Sequence, residues 1–154
     1  MSRRRNKKIK ATKRPAIKQA PRSGKEPRRR ESPESNENRR IHWHLSAIDT
    51  AGPWTVFFVS KTYLVGSLIA KLKSYESMRW GEIDRSKSHP VPIQNLCGEA
   101  QRRLEEIGQD DVESLFSLRF SGQQRLWGIR DRAAFKILWW DPNHEVCPSE
   151  KKHT

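Results

Sequence analysis

Residues Arg125–His144 read RLWGIRDRAAFKILWWDPNH, and this stretch decides the fold. Two β-rich runs, Arg125–Arg130 and Ala134–Trp140, flank a short polar break at Asp131–Ala133. A turn of Asp141, Pro142 and Asn143 follows and presents His144. Strand side chains alternate between faces, so Phe135, Ile137 and Trp139 are expected on one side. Ala134, Lys136, Leu138 and Trp140 are expected on the other. So short a connection predicts an antiparallel hairpin. Just upstream, Leu115–Ser121 alternates as well: Phe116, Leu118 and Phe120 against Ser117, Arg119 and Ser121. Gly122, Gln123 and Gln124 separate it from the next run, and the three runs make a meander.

Working outward toward the N-terminus, Ile93, Leu96, Ala100, Leu104 and Ile107 recur every three or four residues, which predicts a helix over 93–107. It is introduced by Pro90-Val91-Pro92 and closed by Gly108, placed where a helix-ending glycine belongs. Its charged side, Glu99, Arg102, Arg103, Glu105 and Glu106, reads as solvated. Asp84–His89 reads as a polar loop. An earlier helix is predicted from an N-cap at Ser60 to about Tyr75, with Leu64, Leu68 and Leu72 joined by Val65 and Ile69 in one apolar stripe. Met78, Trp80 and Ile83 are expected to fold back onto the core. Trp54–Val59 reads as strand or as a buried lead-in, after a turn at Thr50–Pro53. Ile41–Leu45 alternates and reads as a first strand, His42 and His44 lying on its exposed side.

Charge divides the chain sharply. Residues 1–40 hold 16 Lys+Arg against 4 Glu, a net of +12, whereas residues 41–154 are nearly neutral at +1. The first segment has four prolines and no aromatic residue. It lacks the apolar surface needed to offset the entropy of ordering, so residues 1–40 read as a disordered basic arm and 41–154 as one domain. The clusters Arg3, Arg4, Arg5, then Lys7, Lys8, then Arg28, Arg29, Arg30 suit polyanions, because each neutralised phosphate releases counterions. A solubilising extension without a specific partner is the plainer alternative.

Other classes fit poorly. Two cysteines, Cys97 and Cys147, with no CxxC spacing argue against a disulfide scaffold and for reduced thiols. No metal site is read, since His89, His144 and His153 lack ligand spacing relative to the cysteines. The apolar run Trp54–Ala70 contains Lys61 and falls short of the ~20 residues a bilayer demands. It also makes a poor secretory signal. A soluble, cytoplasmic protein without cofactor or membrane partner is expected.

Strand, two helices and a three-stranded antiparallel meander argue an α+β fold with helices packed on one face. The amphipathic helix ending in Arg-Leu-x-x-Ile, then FSLRF, GQQRLWGI and FKILWWDPNHEV, together resemble the RelE/ParE toxin superfamily over Pro92–Cys147. The chain departs from that pattern in its long first helix, its Trp-rich final strand and its basic arm. It also resembles uncharacterised bacterial proteins ending in R-x-x-G…F-x-x-x-W-x-D-P-x-H, which imply no function. The superfamily resemblance implies a metal-independent endoribonuclease acting on free or ribosome-associated message, with a possible antitoxin partner. Arg119, Arg125 and His144 fall at the matching places.

The residues are chemically suited to that task. Cleavage through the 2′-hydroxyl needs a base, cations for the phosphorane and an acid for the leaving oxygen. Two arginines on adjacent strands and one imidazole supply these types, with Arg130 and Lys136 as further contacts to nucleic acid. The plainer reading keeps both arginines on a solvated face and His144 closing its turn. Trp127, Trp139 and Trp140 invite base stacking, but on a sheet backed by helices they read mainly as core. The alternative function is a non-catalytic nucleic-acid-binding or accessory protein of the same fold.

Overall fold

The computed structural model describes residues 36–148. Its strands are β1 (His42–His44), β2 (His89–Pro92), β3 (Ser114–Arg119), β4 (Arg125–Asp131) and β5 (Ala134–Asp141). They form one sheet in the order β1-β5-β4-β3-β2. β1 runs parallel to β5, and every other pair is antiparallel. The fold is therefore α+β with the expected meander at its centre. The sheet has five strands rather than four.

The additional strand is β2, where the sequence predicts the end of a polar loop and the approach to a helix. Its two prolines explain the difference. Proline holds the residue before it extended, and His89–Pro92 lies at the sheet edge, where a missing N–H costs no central ladder bond. The helix expected over 93–107 is correspondingly shorter. A 3₁₀ turn occupies Ile93–Asn95, and the helix itself spans Gly98–Glu106. Gly108 does end it, at φ +67, with its N–H donated to the Glu105 carbonyl.

The helix following Ser60, α1, comprises Lys61–Tyr63, a π-helical turn at Leu64–Leu68, and Ile69–Glu76. Ser60 caps it as expected, accepting from the Tyr63 N–H at 3.2 Å. The π turn adds a residue to the local repeat, so the apolar stripe shifts. Leu68 and Tyr75 are buried, whereas Val65 and Ile69 are 61% and 42% exposed instead of facing the core. A short helix α2 (Trp80–Asp84) buries Trp80 and Ile83. The Gly98–Glu106 helix is α3.

The helices do not share one face of the sheet, contrary to expectation. Leu68, Tyr75, Trp80 and Ile83 of α1 and α2 pack with Phe116, Leu118, Leu126, Phe135 and Trp140. Ala100 and Leu104 of α3 pack on the opposite face with Trp54, Leu115, Trp127, Leu138 and Trp139. The sheet is thus covered on both sides, as its consecutive apolar residues demand.

A β-bulge sets which tryptophan goes where. Trp127 pairs with Trp139, but Gly128 pairs with Ile137, leaving Leu138 as the extra residue. Leu138 and Trp139 consequently share the α3 face, and Trp140 returns to the α1 face with Phe135 and Ile137. Strict alternation assigns Trp139 and Trp140 the other way round, and places Lys136 and Trp140 together; the structure corrects both. One extra residue reverses every later assignment. The buried indoles of Trp80, Trp127 and Trp139 all find acceptors: Trp80 Nε1 donates to Ala133 O, Trp127 Nε1 to Asp141 and Trp139 Nε1 to Asp49.

The folded region also begins earlier than residue 41. Trp80 N–H donates to the Arg39 carbonyl at 3.0 Å, and Arg40 bridges to Arg79. Residues 36–40 therefore belong to the domain and not to the arm. The reading of residues 1–35 as disordered lies outside the described residues.

Candidate functional site

Two of the three candidate catalytic residues meet. Arg119 ends β3, Arg125 starts β4, and they are direct cross-strand partners. Burial, followed by the charge of Arg119, lowers the Arg125 guanidinium below the usual arginine range, and Asp141 opposes the shift. The hairpin turn itself holds Arg125: Nη1 donates to the carbonyls of Gly122 at 2.7 Å and Gln124 at 2.9 Å.

His144 is tied to this pair only indirectly. Asp141, paired in register with Arg125, is fully buried. Its carboxylate accepts from Trp127 Nε1 and from the N–H groups of Glu145 and Val146 at 2.9 and 3.0 Å. The Asp-Pro-Asn turn is thereby pinned, with His144 at φ +61 in the left-handed region. The His144 Nδ1 atom is buried without a hydrogen-bond partner. A general base must reach the proton it removes; Nδ1 is closed to that role, whereas the ring as a whole is half-buried.

The other candidates divide similarly. Arg130 is engaged, donating to both Asp84 carboxylate oxygens at 3.1 Å, with its guanidinium 3.9 Å from the Trp80 ring centroid. Lys136 pairs in register with Ile129 and His44. Alternation puts it on the sheet face opposite Arg130, so the two do not converge on one ligand. Arg3, Arg4, Arg5, Lys7, Lys8, Arg28, Arg29 and Arg30 lie outside the described residues. Trp127, Trp139 and Trp140 are at most 5% exposed and belong to the core.

A different cationic feature emerges beside Arg119. An open groove of about 360 Å³ is lined by Lys71, Tyr75, Arg85, Ser86, Lys87 and Arg119 together with Phe120. Four of these residues are basic and none is acidic. Among the described residues, no carboxylate forms an ion pair with any of the four; the acidic partners go to Arg103 and Arg130. Lys71 Nζ lies 5.5 Å from the Tyr75 ring centroid, a cation–π contact that steadies the ammonium at the rim. The Tyr75 hydroxyl donates to the Arg119 carbonyl, and Ser88 Oγ accepts from the Arg119 N–H at 3.1 Å. These bonds fasten α1 and the loop before β2 to the end of β3.

Lys87 occupies the left-handed region at φ +66, where a side chain other than glycine's costs energy. Lys71, Arg85 and Lys87 do not stand out as a group in the sequence, because they are joined only where Tyr75 of α1 and Ser88 before β2 both bond to the Arg119 backbone. The DRSKSH segment reads there simply as a polar loop. Its positive-φ lysine has no local signature.

The two thiols are free, and Cys97 N–H donates to the carbonyl of Val146, the neighbour of Cys147. Burial, and then proximity to Cys97, raise the Cys147 thiol. Among the described residues, no group of three or more His, Cys, Asp or Glu side chains is placed to hold a metal ion, and no helix is long and apolar enough to cross a membrane. Compared with models of known families, with curated proteins and with solved structures, the chain matches none.

Proposed function

We propose that this chain is a nucleic-acid-binding protein that grips the sugar–phosphate backbone of RNA and does not cut it. The observation carrying this reading is the groove of Lys71, Arg85, Lys87 and Arg119, four cations with no paired carboxylate among the described residues. Phosphate contacts of this kind supply affinity without sequence information. The composition of residues 1–40, at net +12, adds to the same electrostatic attraction. Single-stranded RNA is the favoured class, since the exposed face of α3 carries Glu99, Glu105 and Glu106 beside Arg102 and would meet the phosphates flanking a DNA major groove with carboxylates. In this proposal the chain keeps a RelE/ParE-like arrangement of strands without the cutting centre. Two observations favour that version: Arg125 Nη1 is occupied by its own turn, and His144 is tied to the arginine pair only through the turn that Asp141 pins.

The test is a fluorescence-anisotropy titration of the full chain with labelled single-stranded RNA across a salt series. Lys71→Glu with Arg85→Glu should weaken binding about tenfold or more, and the log–log salt slope should flatten by about 0.7 for each phosphate no longer neutralised. Lys87→Gly should also weaken binding, yet leave the melting temperature unchanged or raised, since glycine relieves the left-handed backbone. Unaltered affinity in these variants would rule out the groove. Cuts in message on ribosomes that disappear with Arg125→Ala and His144→Ala would restore the toxin reading, with its ribosome and antitoxin partners.

A further inference from the structure

Beyond the β3–β4 turn lies a second concavity of about 340 Å³, bordered by Thr55, Phe58, Ser60, Tyr63, Gln124 and Trp140. Its size is that of a small-ligand pocket, and its chemistry is aromatic with a few polar groups. We propose that it receives one unpaired base of the RNA. This inference rests on the RNA-binding reading and specifies its substrate as single-stranded, with a base free to leave its stack.

The walls come first. Phe58 is 77% exposed and its neighbour Phe57 67% exposed. Neither is loosely displayed, because the 3₁₀ turn Val56–Phe58 is fastened at both ends. Thr55 Oγ1 accepts from the Phe57 N–H at 3.3 Å, and Val59 N–H donates to the Val56 carbonyl at 3.1 Å. The backbone that carries the exposed Phe58 ring is thus fixed at the mouth of the pocket. Half-buried Tyr63 stands in the wall, backed by the buried Trp140 with ring centroids 5.9 Å apart. Phe58 and Tyr63 are the rings left to stack on a base, and such stacking tolerates any sequence.

Polar groups line the edge of the slot. Ser60 Oγ accepts from the Tyr63 N–H and keeps its own O–H to donate. Gln124 Oε1 accepts from Ser121 Oγ at 2.7 Å, which leaves its amide N–H groups to donate. Every base carries acceptor atoms on its edge that satisfy these donors, so the slot favours a base over none rather than one base over another.

Position joins this pocket to the phosphate groove. Phe120, which borders the groove, donates its N–H to the Gln124 carbonyl at 3.0 Å and packs on Trp140 with centroids 5.1 Å apart. That aromatic pair stands between the two concavities. Along α1, Tyr63 and Lys71 are about 12 Å apart at 1.5 Å per residue, within the reach of a short oligonucleotide. A protein partner would cover Phe57 and Phe58 equally well, but it would not require a concave donor-lined slot beside a cationic groove.

The experiment compares the full chain's affinity for an octamer of uridine with that for an octamer of abasic ribose phosphate. Uridine should bind about tenfold more tightly. Phe58→Ser with Gln124→Leu should abolish that difference while leaving abasic affinity as in wild type. Equal affinity of wild type for the two octamers would overturn the base pocket, even if Lys71→Glu with Arg85→Glu still weakens both. Weakening of both octamers by the groove variants, with uridine preference retained, would support the pocket and the groove as separate sites. A change of oligomeric state on size-exclusion chromatography of Phe58→Ser, with uridine preference intact, would assign the phenyl rings to a protein surface and also overturn it. Phe58 is mostly in water, so the melting temperature of Phe58→Ser should match wild type.

Discussion

Arg119 and Arg125 face each other directly across β3 and β4. Two like charges in that relation oppose folding, by roughly 0.2–1 kcal/mol for a cross-strand pair. Arg125 offsets part of this by bonding two carbonyls of its own turn, whereas the Arg119 guanidinium has no ion-pair partner among the described residues, which fits a side chain kept for binding. Arg119→Thr removes one charge and installs a good strand former. Urea denaturation should show a gain of roughly 0.5 kcal/mol, while RNA affinity falls severalfold. A loss of stability would mean that the Arg119 guanidinium supports the fold, and the trade-off would be absent.

Asp49 is the most heavily engaged carboxylate on the α3 face. It accepts from Arg103 Nε at 2.8 Å and Nη2 at 2.7 Å, from Trp139 Nε1, and from the Ala51 and Gly52 N–H groups. The Arg103 hydrogen bonds, chiefly, hold its carboxyl well below the usual carboxylate range despite burial. An unfolded aspartate titrates near ~3.9, so acid protonates the unfolded chain first. The stabilisation is complete above about pH 5 and is lost as pH falls through the carboxylate range toward the folded value. Arg103→Met strands a buried carboxylate and should cost about 3 kcal/mol at pH 7. That deficit should shrink as pH drops toward ~3, because the unpaired Asp49 takes up a proton. Urea melts at several pH values measure this, and a deficit independent of pH would contradict the assignment.

The bulge explains both a further prediction and a misreading. A Cβ on Gly128 would lie well inside van der Waals contact of the Lys136 carbonyl and the Phe135 ring. The carbonyl belongs to backbone, so no rotamer change relieves the clash. Gly128→Ala should therefore destabilise by about 3 kcal/mol, the upper part of the overpacking range. A near-neutral urea midpoint would show that β5 shifts freely past β4.

Much of the sheet is legible in the sequence because its signals are local. The meander follows from alternation in Leu115–Ser121 and from two short breaks, and the α1 cap and Gly108 from single residues. Leu138-Trp139-Trp140 carries a warning, since three consecutive bulky residues fit no strand with one wet face. Alternation alone still chooses the wrong sides, because a bulge depends on the partner strand. The groove is unreadable for the same reason. Lys71, Arg85 with Lys87, and Arg119 come from separate segments, and only the β2–β3 edge pairing together with the packing of α1 against the end of β3 unites them. Arg119 and Arg125 read as neighbours because a tight turn joins their strands. His144 has no such link, and its position depends on three hydrogen bonds to Asp141.

Those three bonds make the final prediction. The buried Asp141 carboxylate faces only donors: one indole N–H and two backbone N–H groups. Asn has one oxygen fewer and turns an NH₂ toward a donor. Leaving a buried donor unsatisfied costs about 1–3 kcal/mol, and here a charge-assisted bond disappears as well. Asp141→Asn should thus lower stability by about 3 kcal/mol and loosen the turn that carries His144. Hydrogen exchange should speed up first at the Glu145 and Val146 amides, before the β4–β5 ladder opens. If these amides keep wild-type protection, Asp141 is not what holds the turn, and the backbone geometry of Pro142–His144 suffices by itself.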